Sequence, residues 1–322
     1  MVIFRDSALQ IQRDLVFDVG LHKGEDTDYY LKKGFRVVAI EANPDLVREC
    51  RSRFAQETAN GRLHIIEGAV AKGLGKILFY KNKYSVWGTT NEEWVKRNER
   101  VGAQSWPIEV DIVDMRSILQ QFGMPYYLKI DIEGADGLVL EALLDLSDSP
   151  PFLSIESEKV SFKRLLWEFR ILRNLGYDRF KIVQQVSISR SSIQTVDLNG
   201  HPLAYTFEEE SSGPFGDDLP GLWCTYRQAC MRYVWIFFLY RLFGENGLIF
   251  KIRGGHRLYL KLKRATGWEL PGWYDTHAKK SHVEGTTAFG ANDDRIAKRK
   301  PSEGRALVLA PLRCPACVTR KV

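Results

Sequence analysis

Two apolar rhythms take turns along the first two hundred residues. Unbroken apolar runs at 15–19 (LVFDV), 36–41 (RVVAIE), 62–67, 126–132 (YYLKIDI), 152–156 (FLSIE) and 181–188 have the length and continuity of strands buried on both faces. Further extended pieces are expected at 76–80 and 106–112. Between the runs lie stretches of helical pattern at 26–33, 43–54, 115–122, 135–144 and 162–175. Gly34 and Gly176 stop the first and last of these, and Asn43-Pro44 opens the second. Strand alternating with helix in this order predicts an α/β fold, a doubly wound and mostly parallel sheet with helices on both faces. From about Ser211 the rhythm breaks. A turn-rich stretch, SSGPFGDDLPGLW (211–223), leads into an aromatic, basic helix ending near Phe243, and past about His282 no apolar period remains. The expected division is a core at 1–205, a C-terminal extension of helix and loop at 206–282, and a basic tail at 283–322 that is expected to be disordered.

Charge sharpens this division. The 322 residues carry 46 Lys/Arg and 40 Asp/Glu, a net charge of +6. Residues 1–226 hold −6 of it, whereas 227–277 and 278–322 hold +6 each. An acidic body with a basic C-terminal third lacks the even basicity of a general nucleic-acid binder, so no specific nucleic acid is expected. The helix at 226–243 is read first as core packing; its second reading is a weak peripheral contact with anionic lipid. Its longest apolar run, YVWIFFLY (233–240), is far shorter than the roughly 20 residues of a membrane span. Five scattered cysteines and the lack of a visible signal peptide lead to the expectation of a cytoplasmic protein.

Candidate chemistry clusters at strand ends. The first strand runs into Asp18-Val19-Gly20-Leu21-His22-Lys23-Gly24, where glycines permit a tight turn and close approach to a ligand. The G-x-x-x-G spacing fits neither the dinucleotide fingerprint nor the P-loop. Glu41 ends the second strand, 23 positions after Asp18, where an acid is placed to accept hydrogen bonds from a ribose diol. Asp18 beside a diphosphate would be repulsive, whereas a cationic amino-acid group suits it. S-adenosylmethionine carries an ammonium, a sulfonium and a ribose but no phosphate. In LKIDIEGAD (128–136), alternation puts Lys129, Asp131 and Glu133 on one side of a strand, with carboxylates at its C-terminal end, where open α/β sheets bind ligands.

With FDVGLHKGEDTDYYLKKGFRVVAIEANP (17–44), EGAVAKGLGKILFY (67–80) and WGTTNEEWVKRN (87–98), this last motif resembles the FkbM-type family of S-adenosylmethionine-dependent methyltransferases over about residues 15–190. The resemblance implies a Rossmann-like core with S-adenosyl-L-methionine as cofactor. It implies a loop of Asp18, Gly20 and Gly24 against the methionine part, with Thr27 and Asn43 flanking, Glu41 on the ribose and Asp131 facing the methyl. The glycine loop is sparser than the G-x-G-x-G of the wider methyltransferase class. The segments 211–223 and GWYDTHA (272–278) resemble features of a bacterial branch, placed as an acceptor-side lid. His277, flanked by Trp273, Tyr274 and Asp275, is a candidate base for an acceptor hydroxyl, since an ordinary imidazole titrates near about 6.5.

The expected activity is methylation of a hydroxyl on a small molecule or glycan, with Asp131 and His277 as the catalytic candidates. Two rivals are an NAD-type oxidoreductase and a non-catalytic cofactor-binding module docked on a polyanion or membrane. No metal is expected: Asp131, Glu133 and Asp136 lack a catechol-type signature around them, and Cys314-Pro315-Ala316-Cys317 is a lone pair of thiols without two further ligands.

Overall fold

The computed structural model describes residues 9–158, 161–244, 247–266 and 272–281; the tail and its cysteine pair lie outside these. β1 (Ile11–Val19) leads through α1 (Glu25–Lys32) to β2 (Arg36–Glu41), then through α2 (Pro44–Arg53) and the short α3 (Ala55–Ala59) to β3 (Leu63–Glu67). An excursion follows, of β4 (Ala69–Val70), β5 (Lys76–Asn82), α4 (Glu92–Arg100) and β6 (Ser105–Val113). α5 (Met115–Phe122) returns the chain to β7 (Met124–Ile130), followed by α6 (Asp136–Leu144), β8 (Phe152–Glu156), α7 (Phe162–Asn174) and β9 (Arg179–Gln184). A hairpin of β10 (Ser192–Val196) and β11 (Pro202–Thr206), then α8 (Tyr226–Phe243), α9 (Gly255–Thr266) and β12 (Tyr274–Lys279), complete the order.

The main sheet runs β3-β2-β1-β7-β8-β12-β9, parallel except for β12. The chain walks outward from β1 to β3, then crosses to β7 on the other side of β1. That reversal leaves a crevice at the C-terminal ends of β1 and β7, the place where such sheets hold ligands. Alternation along β1 decides which face each side chain covers: Leu15, Phe17 and Val19 enter a core with residues of α5 to α8, while Val16 joins Tyr29, Tyr30 and Tyr127 on the other face. Phe215, from the 211–223 loop, stacks flat on Tyr127 with ring centroids 3.9 Å apart.

Two expectations change here. Residues 274–279, expected in a lid, are a strand inside the sheet, with Thr276 opposite both Ile155 of β8 and Ile182 of β9. Its polar composition is tolerated because the hydroxyl of Thr276 is bonded to Tyr233 (2.6 Å) and Ser157 (2.8 Å). Position 205 is therefore not the end of the core, and of the expected lid only the 211–223 loop lies over a sheet face. The expected strand at 181–188 stops at Gln184 and passes into a single 3₁₀ turn.

Candidate active site

Three strand ends are tied together at the crevice. The amides of Gly20 and Leu21 donate to Ile40, and the amide of Asp131 donates to Val19 (2.9 Å). Gly20 has φ +99°, and a Cβ there would stand 1.9 Å from the carbonyl oxygen of Asp131. Only glycine lets the two loops approach this closely. Gly24 caps α1 in the left-handed region, with Phe54 where its side chain would be. His22 and Glu133 are non-glycine residues at positive φ (52° and 45°), one in each loop at this edge. Such conformations gather at functional sites.

Asp18 sits one layer beneath the opening. It is fully buried, accepts from the Thr27 hydroxyl (2.7 Å) and lies 3.3 Å from the Lys129 ammonium. Lys129 also approaches Asp26 (3.2 Å) and Asp131 (3.7 Å) and donates to the Gly20 carbonyl (3.3 Å). Burial alone would push the lysine down, but Asp18, Asp26 and Asp131 outweigh it and hold it well above its ordinary value. Burial raises Asp18 to about 6 against the pull of Lys129. Asp18, expected against the methionine part, and Thr27, expected beside it, are both fully buried, and the charge of Asp18 is met by the chain's own lysine. Asp26 extends the network to the 211–223 loop by accepting from the amides of Ser212 (2.9 Å) and Gly213 (3.3 Å).

Glu41 lies at the tip of β2 with both oxygens held, one by the amide of His22 and the other by that of Asn43, each at 2.8 Å. Burial raises its pKa, and these two amides pull against that. Each oxygen keeps a second lone pair for a diol. Asn43 itself is the N-cap of α2, its side chain accepting from the Asp45 amide (3.1 Å). The N-terminus of α1, where a diphosphate would lie, is taken by Glu25, which accepts from His22 Nδ1 (2.9 Å) and the Lys23 amide (3.1 Å). Backbone cradle, diol acceptor and carboxylates fit a nucleoside carrying positive charge and oppose one carrying phosphates.

Asp131 follows β7 at the crevice, with 40% of its side chain exposed. Beyond it, Glu156 ends β8 and pairs in register with Asp275 of β12. Burial holds the Asp275 carboxyl well above the usual carboxylate range, helped by the charges of Asp131 and Glu156. Asp275 was not foreseen; its signal was its period-two spacing from His277. Asp136, pushed up to about 7 by burial, accepts from the amides of Ile132 and Gly134 (both 3.1 Å) and holds the β7–α6 loop. The 87–98 segment braces that loop, Thr89 donating to the Glu133 carbonyl (2.7 Å) and Trp94 filling the space beside Gly134.

His277 does not join this group. It lies in mid-strand between Ser154 and Lys181, two residues deeper than Asp275 and only 2% exposed. Burial, then the nearby Lys181 charge, lowers its pKa to about 3. A group so enclosed and so weakly basic is no base for an acceptor, and its assignment as one is corrected. Among the described residues, His22, Glu25 and Glu210 offer ligand atoms within 4.8 Å of one another, but both nitrogens of His22 are engaged, by Glu25 and by Ser85 (2.7 Å).

A family model described as the methyltransferase FkbM domain matches residues 18–179, half of the chain, from Asp18 through β9's first residue. The chain belongs to that family. It is a methyltransferase that uses S-adenosylmethionine. Solved structures similar to this FkbM methyltransferase include a SAM dependent methyltransferase from Archaeoglobus fulgidus, 12% identical over 84% of this chain and 87% of that one, with a TM-score of 0.32. Others are a precorrin-6y C5,15-methyltransferase from Geobacter metallireducens GS-15 (13% identity, 62% and 78% covered, TM-score 0.31) and an O-methyltransferase from Bacillus cereus in complex with SAH (15%, 61% and 74%, 0.27). No curated protein matches the chain in sequence. Among the described residues, no helix is long and apolar enough to cross a membrane.

Proposed function

We propose that this FkbM methyltransferase is an O-methyltransferase acting on a hydroxyl of a small molecule or glycan. The observation that carries the reading is Asp131, a partly exposed carboxylate at the end of β7, 3.7 Å from the buried Lys129 and bordering the crevice between β1 and β7. When bound, the cofactor supplies a methyl group already activated on a sulfonium. Glu41 holds the ribose; Gly20 and Gly24 admit the amino-acid part, with Asp18 and Thr27 acting indirectly by fixing Lys129 and the loop. Asp131 takes the acceptor's hydroxyl proton, which an alcohol must give up to become a competent nucleophile. Lys129 and the backbone bond to Val19 fix where that carboxylate stands, and positioning of this kind supplies much of the acceleration. The 211–223 loop, tied to Asp26, is proposed as the cover of the acceptor side.

The test is incubation of the protein with methyl-labelled S-adenosylmethionine and a panel of hydroxyl, amine and activated-carbon acceptors, read by mass spectrometry. Label on oxygen supports the reading. Label found on nitrogen or carbon alone overturns it.

A further inference from the structure

α8 has two apolar faces, and among the described residues only one is packed against the rest of the fold. Ala229, Tyr233 and Ile236 are buried against the sheet, where the Tyr233 hydroxyl reaches Ser157 and Thr276. On the other side Met231, Val234, Trp235 and Phe238 recur at helical spacing and are 46–68% exposed. Trp235 and Phe238 stack on each other in the open, with ring centroids 5.3 Å apart. The next elements continue the pattern. Ile252 is 65% exposed, and Leu258 and Leu262, one turn apart on α9, are 52% and 38% exposed. A ring contact of Tyr259 with Phe243 (6.2 Å) fastens α9 to the end of α8, and one with Phe250 (5.3 Å) fastens it to the 3₁₀ turn between the two helices.

Charge identifies what covers this surface. Residues 226–266 contain nine Lys/Arg and one carboxylate, Glu245. Arg227 and Arg241 are exposed at the two ends of the α8 apolar stripe, and Lys261 and Arg264 are exposed beside that of α9. We propose that the α8–α9 surface docks on an anionic lipid bilayer, with the aromatic and aliphatic side chains entering the headgroup–acyl boundary and the basic ones meeting lipid phosphates. A second copy of the chain would bring the same cations face to face. A nucleic acid would satisfy the cations but leave the aliphatic side chains in water. The C-terminal end of α8 lies at the reaction edge, the Tyr240 hydroxyl donating to Gly272 (2.7 Å) just before β12, so docking brings that edge toward the bilayer.

The experiment is co-sedimentation of the full-length protein with vesicles of phosphatidylcholine alone, or with about one third phosphatidylglycerol, at low and high salt. The expected result is pelleting with the anionic vesicles, reduced by salt, and little with the neutral ones. Trp235→Ser with Phe238→Ser, and separately Arg227→Glu with Arg241→Glu, each lower partitioning by about tenfold or more with the melting temperature unchanged. Equal behaviour toward both vesicle types overturns the proposal, and wild-type protein alone decides that point if a variant fails to fold. A wild-type dimer that the Trp235/Phe238 variant dissociates assigns the surface to a second copy and overturns it. Tight polyanion binding without vesicle binding overturns it in favour of nucleic acid.

Discussion

Lys129 of β7 reaches across to β1 and places its ammonium 3.3 Å from the carboxylate of Asp18, in the interior of the sheet. Neither group meets solvent to any extent, with side-chain exposures of 6% and 0%. Asp26 and Asp131 flank the same ammonium, so one cation sets the charge balance beneath the crevice.

Removing that cation should be severe. Lys129→Met leaves Asp18 buried without its cation and Asp26 with only the amides of Ser212 and Gly213, and breaking a buried pair from one side is expected to destabilise by about 3–5 kcal/mol. Urea denaturation at neutral pH measures it, and part of the loss should return as the pH is lowered and Asp18 takes up a proton. A variant as stable as wild type would show that the network is solvated.

His277 gives a pH signature of stability. Its folded pKa is depressed to about 3. The unfolded chain therefore binds a proton that the folded chain does not. The His277 contribution is fully present above the unfolded value, near about 6.5, and is lost as pH falls toward the folded one. Between pH 7 and pH 5 this one group should remove about 2 kcal/mol from wild type, and His277→Phe should lose correspondingly less over the same interval. Turnover in His277→Asn should keep the acidic limb of its pH profile, because the imidazole does not reach the acceptor; disappearance of that limb would return His277 to the catalytic machinery.

Gly20→Ala should damage both fold and cofactor site. At φ +99° the new Cβ meets the Asp131 carbonyl at 1.9 Å, a backbone atom with no freedom to rotate away. The expected loss is about 2–5 kcal/mol of stability, with weakened S-adenosylhomocysteine binding in calorimetry. Wild-type values for both would mean the two loops separate readily.

The part of this site that could be read from the chain alone is the part written in local pattern. The runs at 36–41 and 152–156 became β2 and β8 with the same bounds, because unbroken apolar stretches flanked by helix signals have few other solutions. Glycine after a buried strand, and an acid at the next strand's tip, are positional signals, and Gly20 and Glu41 do stand at the ends of β1 and β2. β12 was not visible. Four of its six residues, in YDTHAK, are polar, and what makes it a strand is a slot between β8 and β9, filled by a segment some ninety residues later in the chain. His277 was misplaced for the same reason. Asp18 carries the sequence signal of a ligand, since its partner, Lys129, is 111 positions away. A lysine flanked by Leu128 and Ile130 in a buried strand was the available clue, since such a cation requires an internal acid.

Glu41→Ala should weaken S-adenosylhomocysteine binding by about 1.5–3 kcal/mol, through loss of the acceptor for the ribose hydroxyls. It also frees the amides of His22 and Asn43, so Glu41→Gln, which keeps one acceptor oxygen, should be milder. Unchanged affinity in Glu41→Ala would remove this residue from the cofactor site.

Single-turnover methyl transfer in Asp131→Asn, with the acceptor found by labelling, decides whether Asp131 takes the acceptor proton. The expected result is an S-adenosylhomocysteine affinity changed by no more than about twofold while transfer slows by about 10²–10⁴. Transfer at the wild-type rate would contradict it.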